Sequence, residues 1–232
     1  MLGWKRPFSP YERICQVPVE LVRSALERIF ERRNKPGAFR VDNGEPFGAP
    51  ANDAPTPLAL WLIAHDIDMI WNKPRCPQMN GVVEHMQDTS CRWAEIHLCA
   101  SYEALQENLD REAIVQREHF PVTRLKNQTR KQAFPDLEKS GRAWDPDTFC
   151  AKRVHEFFGK KIFNRKVSAS GQINLCAKRF GGLSNVKELF VQVKFNHTDL
   201  HWEVYHDYKC IKRFDVAENF SEQRIKNLSV YQ

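Results

Sequence analysis

Two acidic side chains stand where they could do chemistry. Asp42 ends the short β-type run Ala38-Phe39-Arg40-Val41 and is followed at once by Asn43-Gly44, so it closes a strand at a tight turn. Glu84 lies on a helix that starts at about Gly81, after Pro77-Gln78-Met79-Asn80. A carboxylate at a strand end and another on a neighbouring helix can converge on one divalent cation. Mg²⁺ takes one or two carboxylates and keeps its other positions for water and phosphate oxygens. Paired metals held this way stabilise both the attacking and the leaving oxygen of an in-line phosphoryl displacement. Spacing alone leaves a second reading open. Asp-Asn-Gly is also a common turn former, and a helix glutamate ordinarily faces solvent.

Other candidate groups carry less. The seven cysteines, Cys15, Cys76, Cys91, Cys99, Cys150, Cys176 and Cys210, are odd in number and irregular in spacing, with no CxxC. Reduced thiols are expected rather than a disulfide framework. Cys91, His97 and Cys99 do not have a zinc spacing, and thiols without metal are the better expectation there. Arg40 shares a strand face with Asp42 and suits a phosphate contact or, more commonly, an ion pair. His85, His197, His201 and His206 read as surface histidines, and Trp61 and Trp71 as core.

These groups need elements to position them. Residues 18–33 predict an amphipathic helix with Leu21, Ala25, Ile29 and Phe30 on its buried face. Pro18 and Glu20 suit its start, Arg32 and Arg33 its end, and Pro36-Gly37 stops it. Residues 45–57 form a Pro-rich loop, 58–64 a buried helix and 66–71 a short strand. A loop runs from Asn72 to Met79, and helices follow from Gly81 and over about 102–118, the latter capped by Ser101. The stretch 120–150, with Pro121, Pro135, Gly141 and Pro146, predicts a linker. Beyond it the period becomes two. Two short strands flank Ser170-Gly171, and further strands run over 189–195, 201–206 and 210–214, a pattern that suggests a small antiparallel barrel.

Taken together, FRVDNGEPFG (39–48), WLIAHDIDMIW (61–71) and PRCPQMNGVVEHM (74–86) resemble the integrase core of D,D-E transposases and retroviral-type integrases. In that family a strand delivers the second catalytic Asp in a DNG sequence, and P-x-x-NG-x-x-E places the catalytic Glu on a helix. The resemblance assigns these catalytic and metal-binding roles to Asp42 and Glu84. Asn43 and Gly44 match the turn, and Pro77, Asn80 and Gly81 match the start of the helix. The helix at 18–33 matches the one before the DNG strand. TRLKNQTRKQAFPDL (123–137) is similar to the basic linker of bacterial members. RKVSASGQINLCAKRF (165–180), together with the remainder of the chain, is similar to their C-terminal barrel. The implied architecture is α/β: a partial RNase H-like core over 1–120, a basic linker over 121–160, and a small all-β, SH3-like barrel over 161–232. The implied cofactor is Mg²⁺ or Mn²⁺. The implied partners are transposon ends and target DNA, with self-association or a full-length transposase as further partners.

One departure outweighs the matches. The family uses three carboxylates, the first an Asp on the first strand of the core. Residues 1–41 contain no Asp, and their only acids are Glu12, Glu20, Glu27 and Glu31. The chain therefore resembles a family member without its first three strands, and two carboxylates alone hold Mg²⁺ weakly. The expectation is a transposase-type protein that does not cut or join DNA by itself. The alternatives are a non-catalytic DNA-binding protein and a decayed transposon remnant. A lesser departure is the 41 residues between Asp42 and Glu84, which the Pro-rich loop absorbs.

Charge points to the same partner. Net charge is +6, yet residues 1–120 hold 14 basic and 17 acidic side chains, 121–180 hold 14 and 5, and 181–232 hold 7 and 7. The surplus of the middle stretch suits a polyanion, because each neutralised phosphate releases condensed counterions. The candidate DNA contacts are Arg130, Lys131, Lys152, Arg153, Lys160, Lys161, Arg165, Lys166, Lys178 and Arg179. A solvated linker or a charge-protected strand edge is the other explanation for them. No window approaches eighteen consecutive apolar residues, and Met1 to Pro10 lacks a secretory apolar stretch, so a cytoplasmic protein with no membrane partner is expected.

Overall fold

The computed structural model describes residues 18–48, 54–79, 81–138 and 142–231. Cys15, Asn80, Gly141 and positions 49–53 of the Pro-rich loop lie outside these residues. The chain is mixed α/β. Helix α1 (Val19–Arg33) begins where the Pro18 carbonyl accepts from the Leu21 and Val22 amides, and it ends at Asn34, whose φ of 66° leaves the helical region. Its buried face agrees with the expected one at Phe30 and differs from it at Leu21 and Ile29. Leu21 and Ile29 are exposed at 61% and 51%, whereas Val19, Val22, Leu26 and Phe30 pack inward. Both stripes have helical spacing, and only the packing partner decides between them.

Strand β1 (Ala38–Val41) pairs in parallel with β2 (Asp68–Trp71), from Ala38 opposite Asp68 to Val41 opposite Trp71. Helix α2 (Pro57–Ala64) makes the crossover. Thr56 Oγ1 accepts from the Ala59 amide at 3.3 Å and Pro57 fills the first turn, where no amide donor is needed. Residues Leu58 to Ala64 are all buried. A helix that is apolar all round must be enclosed on every side, and α2 is. Leu58, Trp61 and Leu62 pack with Leu26, Phe30, Ile67 and Leu228, while Leu60, Ile63 and Ala64 pack into the second core.

Helices α3 (Gly81–Trp93), α4 (Tyr102–Ile114) and α5 (Arg130–Ala133) follow, with a π-type turn at Val115–His119. Ser101 Oγ accepts from the Ala104 amide, and Thr129 with Gln132 forms a reciprocal capping box. Local chemistry starts these helices, but no residue from 81 to 138 belongs to either hydrophobic core. Ala94 is the one buried apolar side chain of that stretch among the described residues, and Val82, Val83 and Met86 of α3 are exposed.

The stretch expected as a linker ends in a helix. In α6 (Ala151–Gly159), Val154 and Phe158 are fully buried in the second core. The β-rich part then comprises β3 (Ile162–Lys166), β4 (Ile173–Leu175), β5 (Lys178–Phe180), β6 (Phe190–Asn196), β7 (His201–His206) and β8 (Lys209–Asp215), followed by α7 (Glu222–Lys226). Val191, Val193 and Phe195 face inward together, as their alternation predicts. The pattern around Ser170-Gly171 predicts two strands, and three form. The sheet runs β3-β6-β7-β8 and is antiparallel throughout, while β4 and β5 pair only with each other. Among the described residues no closed barrel forms, because no ladder joins β3 to β8 and the β4–β5 ribbon satisfies itself.

Phe158, Phe163, Phe195, Trp202 and Phe220 centre the second core, with Phe158 and Phe220 edge to face at 5.0 Å. This core takes residues from α2, α6, the sheet and the C-terminal segment, so packing joins the first and last thirds of the chain. Further bonds close that union. The Tyr231 hydroxyl donates to the Pro55 carbonyl at 2.6 Å and Arg23 donates to the Lys226 carbonyl at 2.8 Å.

Candidate functional site

Asp42 directly follows the last residue of β1, and the ladder continues past it through the Asn72 amide, which donates to the Val41 carbonyl at 2.9 Å. Its Oδ1 accepts from the Gly44 amide at 3.1 Å, the Asx bond that shapes a tight turn. Asn43 Nδ2 donates to the Asn72 carbonyl at 2.9 Å, tying this turn to the end of β2. The loop beyond is held from the other side. Trp71 Nε1 donates to the Phe47 carbonyl and Thr56 Oγ1 to the Pro46 carbonyl. A Cβ at Gly48 would lie 2.3 Å from the Asn43 carbonyl oxygen, so only glycine lets the loop close there. The Asp42 carboxylate is exposed on a loop fixed by four side chains.

Glu84 sits in the first turn of α3, beyond the segment that leaves the end of β2. It is exposed, and α3 has no buried residue. Parallel strands point their ends the same way, so Asp42 and the segment leading to Glu84 leave from one edge of the β1–β2 pair. Arg40 is exposed on the same strand face as Asp42. Among the described residues no three His, Cys, Asp or Glu side chains cluster as a metal site. Two exposed carboxylates do not make the donor set of a two-metal centre, which needs each ion held on several sides. The residues present therefore do not fit such a centre.

The ten expected DNA contacts separate into four groups. Arg130 donates to the Gln116 carbonyl at 2.7 Å, and Arg153 donates to the carbonyls of Ala64 and Thr148 at 2.9 and 3.0 Å. Arg165 donates to the Asn174 and Asn164 carbonyls. These arginines join elements. Lys131 pairs with Glu118, Lys152 with Glu156 and Lys166 with Glu188. Lys161 lies over the rings of Phe157 and Trp71, at 4.2 and 5.3 Å, and burial pushes its pKa down. Lys160, Lys178 and Arg179 have no internal partner among the described residues, and Lys160 and Arg179 are exposed.

No local signal in the chain marks a second cationic cluster, which the fold assembles from distant residues. The carbonyls of the last residue of α2, of its cap and of the residue beyond accept from Arg153 (at Ala64), Lys35 (at His65, 2.9 Å) and Arg142 (at Asp66). Basic groups at a helix C-terminus oppose its partial negative charge. Arg142 also bonds Asp66 Oδ2 at 2.5 Å. Inside this cluster the His65 ring is buried against Trp61, Trp144 and Phe149. Desolvation first, and then Lys35, Arg153, Arg23 and Lys226, push its pKa down to about 4. His65 Nδ1 is buried with no hydrogen-bond partner among the described residues. The cluster holds α2 against its neighbours, with Lys35 and His65 buried and Asp66 at its exposed edge.

No protein-family model matches this chain, and no curated protein matches it. Among the described residues, no helix is long and apolar enough to cross a membrane.

Proposed function

We propose that this chain is an integrase-type protein of DNA transposition that binds DNA through its basic second half and does not itself cut or join strands. In this reading α1, β1, β2 and α3 are the later part of an RNase H-like core, and β3 to β8 are its SH3-like companion. The observation that carries it is the anchored Asp42-Asn43-Gly44 loop at the end of β1, beside a parallel β2 from whose end the chain runs to Glu84. Nearby side chains fix this loop at four points, more than a turn former alone needs. Among the described residues no three His, Cys, Asp or Glu side chains form a metal site, which supports binding without chemistry. Duplex DNA is the partner, held mainly through its backbone. A second copy or a full-length transposase would have to bring the absent carboxylate for Mg²⁺ or Mn²⁺ chemistry.

The test is duplex binding by the purified chain at rising salt, together with nicking of supercoiled plasmid in Mg²⁺ or Mn²⁺. Three phosphate contacts, from Lys160, Lys178 and Arg179, give a ~40-fold loss of affinity between 50 and 200 mM salt. Asp42→Asn should leave that binding unchanged, and nicking should not exceed the buffer control. No binding at low salt would refute the DNA reading. Metal-dependent nicking abolished by Asp42→Asn would refute the non-catalytic part and make the chain an enzyme.

A further inference from the structure

The outer face of the four-stranded sheet carries large aromatic groups that the fold does not use. Phe190, the first residue of β6, is 70% exposed, and Tyr208 is fully exposed. Tyr208 stands at the second position of the two-residue turn between β7 and β8, where Asp207 and Tyr208 have φ of 45° and 64°. A hairpin turn with both central residues in the left-handed region favours Asn or Asp followed by Gly. A β-carbon costs energy in that region, so a bulky aromatic there is unfavourable for the turn itself. Folding gains nothing visible from this ring, since it touches water on all sides.

Phe190 and Tyr208 lie at the same end of the sheet, where His206 Nδ1 is 3.3 Å from the Phe190 carbonyl oxygen. Between them is a groove of about 390 Å³, whose lining includes Asn164, Gln192 and Tyr205. Asn164 and Gln192 are opposite each other in the β3–β6 ladder, and both are exposed. Neither side-chain amide has an internal partner among the described residues. The Tyr205 ring is held in place, because its hydroxyl donates to Glu203 Oε2 at 2.7 Å and Lys194 Nζ lies 5.0 Å from its centroid. Strands β3, β6, β7 and β8 together hold six basic side chains (Arg165, Lys166, Lys194, Lys209, Lys212, Arg213) and two acidic ones (Glu203, Asp215), a net of +4. Arg165 and Lys212, however, stand opposite the inward-facing Val191 and Val204, so that the outer face itself carries Lys166, Lys194 and Arg213 beside Glu203 and Asp215. Asp207 in the turn adds one acid, beside His206.

We infer that this face binds single-stranded DNA, with unpaired bases stacked on Phe190 and Tyr208 and a base edge bonded to the Asn164 and Gln192 amides. Exposed rings on a basic sheet suit a strand whose bases have a free face, and the amides can both donate to and accept from a base edge. A duplex offers stacked, paired bases and would meet only the cations. The inference rests on the nucleic-acid reading above and narrows it to unpaired DNA at this face.

The test uses the full chain, a fluorescein-labelled oligothymidylate of about twenty nucleotides, and a mixed-sequence duplex of the same length, followed by fluorescence anisotropy. Tyr208→Ala and Phe190→Ala should each weaken oligothymidylate binding about tenfold and leave duplex binding unchanged. Tyr208→Gly should do the same while folding at least as stably, because glycine suits the turn. Tyr102→Ala removes an exposed aromatic from α4 and should change neither. Oligothymidylate binding unaffected by all three sheet variants, or duplex binding alone, overturns this inference and leaves the duplex reading standing. Binding of neither DNA overturns both. Self-association that depends on Phe190 and Tyr208, without oligothymidylate binding, would make the face a protein interface and also overturn it.

Discussion

Lowering the pH from 7 to 5 should destabilise this protein through one side chain, His65. In the folded chain its pKa is pushed down to about 4, against an ordinary value of 6.5. Burial against Trp61, Trp144 and Phe149 is the main cause, and the cations Lys35, Arg153, Arg23 and Lys226 add to it. Asp66 is the acid at this cluster, and it is engaged by Arg142. The sign follows from proton counts. Between pH 6.5 and 4 the unfolded chain binds the His65 proton and the folded chain does not, so stability falls as the pH falls through this window. It is fully present above 6.5 and stops changing below 4. At 1.36 kcal/mol per pKa unit the limiting loss is about 3 kcal/mol, of which about 2 kcal/mol should be gone at pH 5. The assay is urea unfolding at pH 7, 6 and 5, for the native chain and for His65→Phe, which keeps the ring stacking and cannot titrate. The native chain should lose about 2 kcal/mol over this range, and the variant should lose far less. Parallel pH profiles for the two would refute the reasoning, because the loss would then come from other groups.

Two more expectations concern where stability sits. Hydrogen exchange should be fast across 81–138, which places no side chain in either core, and slowest in β6 and β7, which carry Val193 and Trp202. Equal protection in both regions would contradict this. Phe158→Ala should cost about 3–5 kcal/mol, measured by denaturant unfolding, because its ring packs on Phe163, Phe195, Trp202 and Phe220. A cost below about 1 kcal/mol would mean that α6 is not part of the core.

Several elements are readable from the chain because their signals are local. The Asp42 turn is one, since an Asx bond and a following glycine act within three residues. Ser101 and the strands over 189–215 are others. The face of α1 is readable only in part: Phe30 is buried as its spacing predicts, but Leu21-Ala25-Ile29 and Val22-Leu26 both have helical spacing and the choice between them depends on α2. Helix α6 is hidden although Val154, Phe157 and Phe158 stand at helical spacing, because the prolines and basic pairs around it suggest a linker. Tyr208 carries a signal that the strand pattern masks, an aromatic directly after Asp207 where a two-residue turn favours glycine.

The sequence by itself determined the acids, the turn that holds Asp42, the starts of α1 and α4 and the excess of positive charge, because each depends on neighbours within a few residues. Only the tertiary structure decided which charges remain available. Arg142 and Arg153 reach carbonyls 76 and 89 residues away, and Lys35 reaches the buried carbonyl of His65. The backbone oxygens at the end of a buried helix must be satisfied, and the cations that satisfy them come from wherever the chain folds back. The outer sheet face, with Phe190 and Tyr208 at one end, likewise exists only once β3 pairs with β6 past the β4–β5 ribbon and β6, β7 and β8 pair in turn.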